Sequence, residues 1–146
     1  MVWRDDTVTM KMEQLREFAE RYTAAWCSQD PMRVANCYAL NGSLTINSED
    51  PAEGRQNIAA AVLKFMTAFP DLQIEMDDVV VQRERAVYHW ILSGTNTGPG
   101  GSGHMVRISG FEVWTIGEDG LIVESRGHFD AADYQRQLRR GISETD

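Results

Sequence analysis

The stretch Ile108–Asp130, "ISGFEVWTIGEDGLIVESRGHFD", decides the fold. It divides at Glu118-Asp119-Gly120, a turn tripeptide with glycine last. Before the turn, Phe111 and Val113 alternate with Glu112 and Trp114, the period of a strand with two unlike faces. After it, a second strand ends on Gly127-His128-Phe129, and Asp130 supplies the side-chain oxygen that caps a helix. Two hairpin strands therefore run straight into a terminal helix. The same segment raises a chemical question, because Arg126, His128 and Asp130 fall within five residues.

Working back from the hairpin, period-two patterns place strands near 72–82, 86–96, 104–116 and 121–128. Gln82-Arg83-Glu84-Arg85 reads as a tight turn, and Thr97–Gly103, "TGPGGSG", as a longer flexible crossing. The first half is helical. Leu15, Phe18, Ala19, Tyr22, Ala25 and Trp26 recur at three- and four-residue steps, one face of a long amphipathic helix. Asp30-Pro31 opens a second, shorter helix through Val34, Cys37 and Tyr38, which Asn41-Gly42 stops. Leu44 and Ile46 mark a short strand. Ile58, Ala61, Val62, Phe65 and Phe69 line a third helix, ended by Phe69-Pro70-Asp71. Tyr134 and Leu138 belong to the last helix. Residues 1–11 are read as an N-terminal arm, 12–141 as one domain and 142–146 as a C-terminal tail.

This order is helix, helix, strand, helix, four strands, helix. It predicts an α+β fold in which a curved, mostly antiparallel sheet wraps around the long first helix. The open end of the cone leaves a pocket. The uncovered face of the sheet is available for a homodimer.

Composition narrows the function. The chain has 146 residues, 42% apolar and 25% charged, enough for one sizeable core. Its net charge of -8 argues against nucleic acid or an anionic membrane as the main partner. Cys27 and Cys37 have no ligand spacing, no histidine pair stands with a carboxylate at metal spacing, and no metal is expected. The N-terminal residues carry no apolar signal core, so the expected location is cytoplasmic. "TGPGGSGH" lacks the Lys-Ser/Thr and following helix of a phosphate loop, and reads as a lid or hairpin.

Several strings carry a family resemblance: Phe69-Pro70-Asp71-Leu72, Gly94-Thr95-Asn96-Thr97-Gly98, Ile108-Ser109-Gly110, Asp119–Glu124 and Gln135-Arg136-Gln137-Leu138. With the element order, they resemble the SnoaL-like polyketide (ester) cyclase family of the nuclear transport factor 2-like superfamily, over roughly residues 12–141. The resemblance implies the cone fold and a cofactor-free enzyme that closes a ring by an intramolecular aldol reaction. It also implies an acid near the end of the last strand, a position that falls on Gly127, and polar partners at positions that fall on Glu112 and Trp114. Arg21–Trp26 is similar to the helix that carries the oxyanion tyrosine of ketosteroid isomerases, which puts that role on Tyr22. The isomerase base would fall near Ile46, where no carboxylate stands.

The candidates have competing readings. Glu112 beside Trp114 in an apolar cone is a proton carrier with a raised pKa, or an ion-pair partner of Arg126. His128 after a glycine could be turned inward by a bulge and act as a base, or it is a surface histidine. Arg126 binds a ligand oxygen or pairs with Glu124 or Glu112. Tyr22 donates to a ligand carbonyl or to a buried partner. Trp26, Phe65 and Trp114 are expected as ligand walls, and His89 and His104 as structural or solvated. The expected ligand is small, apolar and carbonyl-bearing. The alternatives are a non-catalytic binding or dimerisation module, and a ketosteroid isomerase-like enzyme.

Overall fold

The computed structural model describes residues 2–142, with side chains from Met12 onward. Its elements are α1 (Val2–Cys27), α2 (Pro31–Ala35), β1 (Tyr38–Ile46), β2 (Ala52–Glu53), α3 (Arg55–Ala68), β3 (Gln73–Gln82), β4 (Arg85–Thr95), β5 (Met105–Ile116), β6 (Ile122–Phe129) and α4 (Ala131–Arg140). The strands form one open sheet in the order β2-β1-β6-β5-β4-β3. Neighbours are antiparallel except β1 and β6, which run parallel. The fold is the expected α+β cone, and four of its strands fall within a residue or so of their expected limits.

Helix α1 lies against the concave face of the sheet. Leu15, Phe18, Ala19, Tyr22, Ala25 and Trp26 are all buried, as their spacing requires. Phe18 and Tyr22 meet Trp114 edge-on, at ring separations of 5.5 and 5.0 Å, while Tyr88 stacks on Trp114 at 4.8 Å. Each such pair is worth about 0.5–1.5 kcal/mol beyond its buried area. These contacts pin α1 to β4 and β5.

Three expectations need correction. The backbone of α1 is helical from Val2, so the segment read as an arm forms its first turns; the tail beyond Ile142 lies outside the described residues. Helix α2 is only five residues long. Its cap is as read, with Asp30 accepting from the Met32 N–H at 3.0 Å and Pro31 opening the helix. Cys37 and Tyr38, however, leave the helix. The Cys37 carbonyl accepts from the Ile122 N–H at 3.0 Å, and Tyr38 begins β1. Asn41-Gly42 is then not a stop but an irregularity in β1, where the pairing with β6 shifts register between Tyr38 and Ser43. A pairing partner far along the chain overrides the local pattern.

The third correction concerns the glycine-rich crossing. Asn96 is buried and ties the crossing down: its Nδ2 donates to the Ala68 carbonyl, and its Oδ1 and backbone oxygen accept from the Ser102 and Gly103 N–H groups. The loop is anchored to the end of α3 rather than held as a free lid.

Gly110 on β5 has a packing role. A Cβ there would stand 2.4 Å from the His128 carbonyl oxygen and 2.5 Å from Cζ2 of Trp90, directly across on β4. The missing side chain lets the Trp90 indole lie on the strand. Gly110→Ala is expected to destabilise the protein by about 2 kcal/mol, because neither the backbone oxygen nor the wedged ring can retreat. Urea unfolding measures this, and an unchanged midpoint would show that the indole has room to move.

Candidate active site

The concave side of β4, β5 and β6 faces α1 and α3 across a small chamber. It offers about 50 Å³ to the centres of water-sized molecules, enough for a few of them. Trp26 of α1, Phe65 of α3, Tyr88 and Trp90 of β4, and Phe129 of β6 make much of its wall. Glu112 brings the carboxylate, and Gly127 sits directly across the ladder from it.

Glu112 is 7% exposed, so burial is the first problem for its carboxyl group. Three donors answer it on one oxygen. The Tyr22 hydroxyl, the Trp114 Nε1–H and the Ser125 hydroxyl each donate to Oε1 at 2.8 Å. None of the hydrogen bonds among the described residues ends on Oε2. Tyr38 extends the network, its hydroxyl 2.9 Å from that of Tyr22. Strand geometry explains the convergence. Glu112 and Trp114 are two apart on β5, Ser125 is opposite Trp114 on β6, and Tyr22 comes down from α1.

Burial pushes the Glu112 carboxyl above the usual carboxylate range, and the hydrogen bonds from Trp114, Ser125 and Tyr22 pull it part of the way back. Burial first, and then the nearby Glu112 charge, hold the Tyr22 and Tyr38 hydroxyls well above their ordinary value. These phenols remain protonated donors. The arrangement fixes one carboxyl oxygen and leaves the other without a protein donor among the described residues.

The expected site residues divide accordingly. Trp26 and Phe65 line the chamber, their rings 6.2 Å apart. Trp114 does not: it is fully buried behind Glu112 and serves through its indole N–H. Tyr22 is likewise fully buried and directed at Glu112 rather than at a ligand. His128 is a correction. Pairing runs without a break through Phe111↔His128, Glu112↔Gly127 and Val113↔Arg126, so no bulge turns the imidazole inward. It lies exposed on the outer face, 5.0 Å from the Phe111 ring. Arg126 is a second correction. It is also exposed on the outer face, bonded to Glu124 at 3.2 Å, and the alternative pairing with Glu112 is not formed. His89 lies half-buried on that face against Phe111. Among the described residues, no group of three or more His, Cys, Asp or Glu is placed to hold a metal, and no helix is long and apolar enough to cross a membrane.

Sequence reasoning missed Ser125 and Tyr38. Ser125 had a detectable signal, since it is the only small hydroxyl on the inward face of the last strand. Tyr38 had none, because its strand was read as a helix.

Gly127 occupies the position at which the family resemblance implies the acid. A Cβ there would be 3.5 Å from Glu112 Cγ and 3.7 Å from the Thr45 carbonyl oxygen, both ordinary contacts. The position therefore faces the chamber beside Glu112. Ile46, at the implied isomerase-base position, lines the same chamber.

The raised carboxyl pKa has a stability consequence. Glu112 contributes stability that is fully present below its unfolded-state pKa and is lost as pH rises through the higher folded-state value. The amide of Glu112→Gln can still accept from all three donors through Oε1. The variant is therefore expected to lose less stability than the wild type as the pH is raised from about 4. Urea unfolding of both from that pH upward checks it, and parallel curves would contradict a shifted carboxyl.

Comparisons with known proteins agree with this architecture. Residues 16–138 match the family model for SnoaL-like polyketide cyclase. No match to a curated protein sequence was found. The fold is similar to that of a SnoaL-like polyketide cyclase from Jannaschia sp. CCS1, assigned as putative, with TM-score 0.77, 20% identity, and 89% of this chain and 94% of that one covered. It is also similar to a hypothetical protein with a ketosteroid isomerase-like fold from Catenulispora acidiphila DSM 44928, in complex with trimethylamine, with TM-score 0.74, 11% identity, and 84% and 92% covered. A third similar structure is SalBIII, described as an epoxide hydrolase/cyclase-like enzyme with a role in pyran ring formation in the polyether salinomycin, with TM-score 0.72, 18% identity, and 84% and 95% covered. With a family match spanning most of its length and an unclosed six-stranded cone of the same shape, the chain belongs to the SnoaL-like polyketide cyclase family.

Proposed function

We propose that this chain is a polyketide cyclase-type enzyme that moves a proton at a carbon next to a carbonyl, on a small apolar ligand, without a cofactor. One observation carries the reading: a buried carboxyl whose Oε1 is held by three donors stands at the edge of a nearly apolar chamber. As a carboxylate, Glu112 takes the proton from the α-carbon, and the C–H electron pair moves toward the carbonyl oxygen to give an enolate. The enolate carbon attacks a second carbonyl of the same molecule, forming the ring bond. The protonated Glu112 then returns its proton to the new alkoxide. Atoms and charge balance with no other reactant.

The role that the resemblance implies for position 127 passes across one ladder rung to Glu112. Tyr22, Trp114 and Ser125 are positioning residues in this scheme. Trp26 and Phe65 shape the wall. An isomerase reading keeps only Tyr22, which is engaged by Glu112, and has Ile46 where a base is needed. A non-catalytic binding module of the same fold is the second reading, favoured by Gly127 and by the narrowness of the chamber.

Two measurements test the enzymatic reading. Exchange of the α-protons of cyclopentanone for deuterium, followed by proton NMR, is expected in the wild type and to fall at least about 100-fold in Glu112→Gln. Undiminished exchange in that variant would remove Glu112 from the chemistry, and binding without exchange in the wild type would favour the module. Tyr22→Phe removes one donor from the carboxylate, which raises the Glu112 pKa further. The pH–rate inflection is expected to move up by about one to two units, since losing one such bond is worth about 1.5–3 kcal/mol. An unmoved inflection would leave Tyr22 with a packing role alone.

A further inference from the structure

Tyr22 was the expected donor to a ligand carbonyl, and its hydroxyl is engaged elsewhere. The Tyr88 hydroxyl, also at the chamber, is hydrogen-bonded to Thr23. The developing enolate oxygen therefore needs another donor. The Trp90 Nε1–H is the one buried side-chain nitrogen or oxygen, among the described residues, with no hydrogen-bond partner. Trp90 is 8% exposed, stands on β4 and lines the same chamber as Glu112.

A buried N–H without an acceptor is unfavourable and is rarely retained without a reason. Its orientation here is also fixed. The benzo edge of the indole lies on Gly110, where a Cβ would come within 2.5 Å of Cζ2 and 2.8 Å of Cη2. The Phe129 ring meets it edge-on at 6.0 Å. A rigid, desolvated N–H carried by a residue of an apolar chamber's wall is the form that stabilises charge appearing only during reaction.

We infer that Trp90 is the oxyanion donor of this site: its Nε1–H binds the ligand's carbonyl oxygen and holds the enolate while Glu112 moves the α-proton. This rests on the acid/base reading of Glu112. It also specifies the substrate. The ligand is uncharged, because no cationic side chain lines the chamber and a carboxylate would face Glu112 with nothing to replace its water. It presents a carbonyl oxygen toward β4 and its α-carbon toward β5. At about 50 Å³ the chamber takes a small ring, or the reacting end of a longer chain, only when its aromatic walls give way.

The test uses cyclopentanone, with cyclopentane as the same ring lacking the oxygen. The chain has four tryptophans, and loss of one indole signal in Trp90→Phe assigns the Trp90 N–H in a proton–nitrogen spectrum of the wild type. Cyclopentanone is expected to move that proton signal downfield, and cyclopentane to leave it in place. Trp90→Phe, folded by circular dichroism, is expected to slow α-deuterium exchange about 100-fold at saturating ketone, with the pH inflection unchanged. The inference is overturned if ketone and hydrocarbon shift the indole signal alike, if neither shifts it, or if Trp90→Phe exchanges at the wild-type rate. In that last case, loss of exchange in Glu112→Gln alone would leave the acid/base reading standing.

Discussion

Three hydrogen bonds ending on one oxygen hold the interior of this protein together chemically. Glu112 could not be buried at this depth among aromatic rings without them, since an isolated carboxylate there would be strongly unfavourable. Each donor comes from a different part of the fold: α1, β5 itself and β6. The helix must therefore cross the sheet at one height, and β5 and β6 must pair in one register. A slip of a single residue would turn Glu112 to solvent and bring Phe111 inward. The polar network thus acts as a locating pin for a core whose aromatic contacts alone would tolerate small displacements.

The same network separates the two ends of the carboxyl group. Oε1 takes the three donors and belongs to the scaffold, while Oε2 takes no hydrogen bond from the described residues. Gly127 completes the division, because an acid there would crowd Glu112 with a like charge, whereas glycine leaves the carboxyl group its space. On the function proposed above, the acid that the family resemblance implies on the last strand is supplied one strand over, by Glu112 directly across the ladder from Gly127.

Much of the fold was legible in the sequence, because long strands with one buried face alternate visibly and α1 carries an unbroken apolar stripe. Residues 36–42 were not. Val34, Cys37 and Tyr38 have helical spacing, and only the distant Ile122, which captures the Cys37 carbonyl, shows why the chain turns to strand. The site was legible to the same degree. Alternation correctly put Glu112 and Trp114 on one face, and the same alternation should have excluded His128 and Arg126, which flank Gly127 and so share the opposite face. A glycine between two chemically attractive residues invited the idea of a bulge, but the ladder passes through it unbroken. The directions of the Tyr22 hydroxyl and the Trp90 N–H lay beyond any one-dimensional pattern, since each depends on a partner supplied or withheld in three dimensions.

The parallel pairing of β1 with β6 bears on how the molecule assembles. Strands β3 to β6 are joined in sequence by turns, and can zip up through contacts between near neighbours. β1 precedes them all, yet it docks beside the last, with Ile46 set against Gly127. Among the strand pairings, that closure spans the longest stretch of chain and so carries the largest loop entropy. During synthesis β1 must wait for β6 to leave the ribosome, so the edge of β1 that pairs with it stays open until then. The chamber is complete only once β6 has docked, and a chain truncated before β6 would lack Gly127 and Phe129 from its wall and leave an open strand edge prone to self-association.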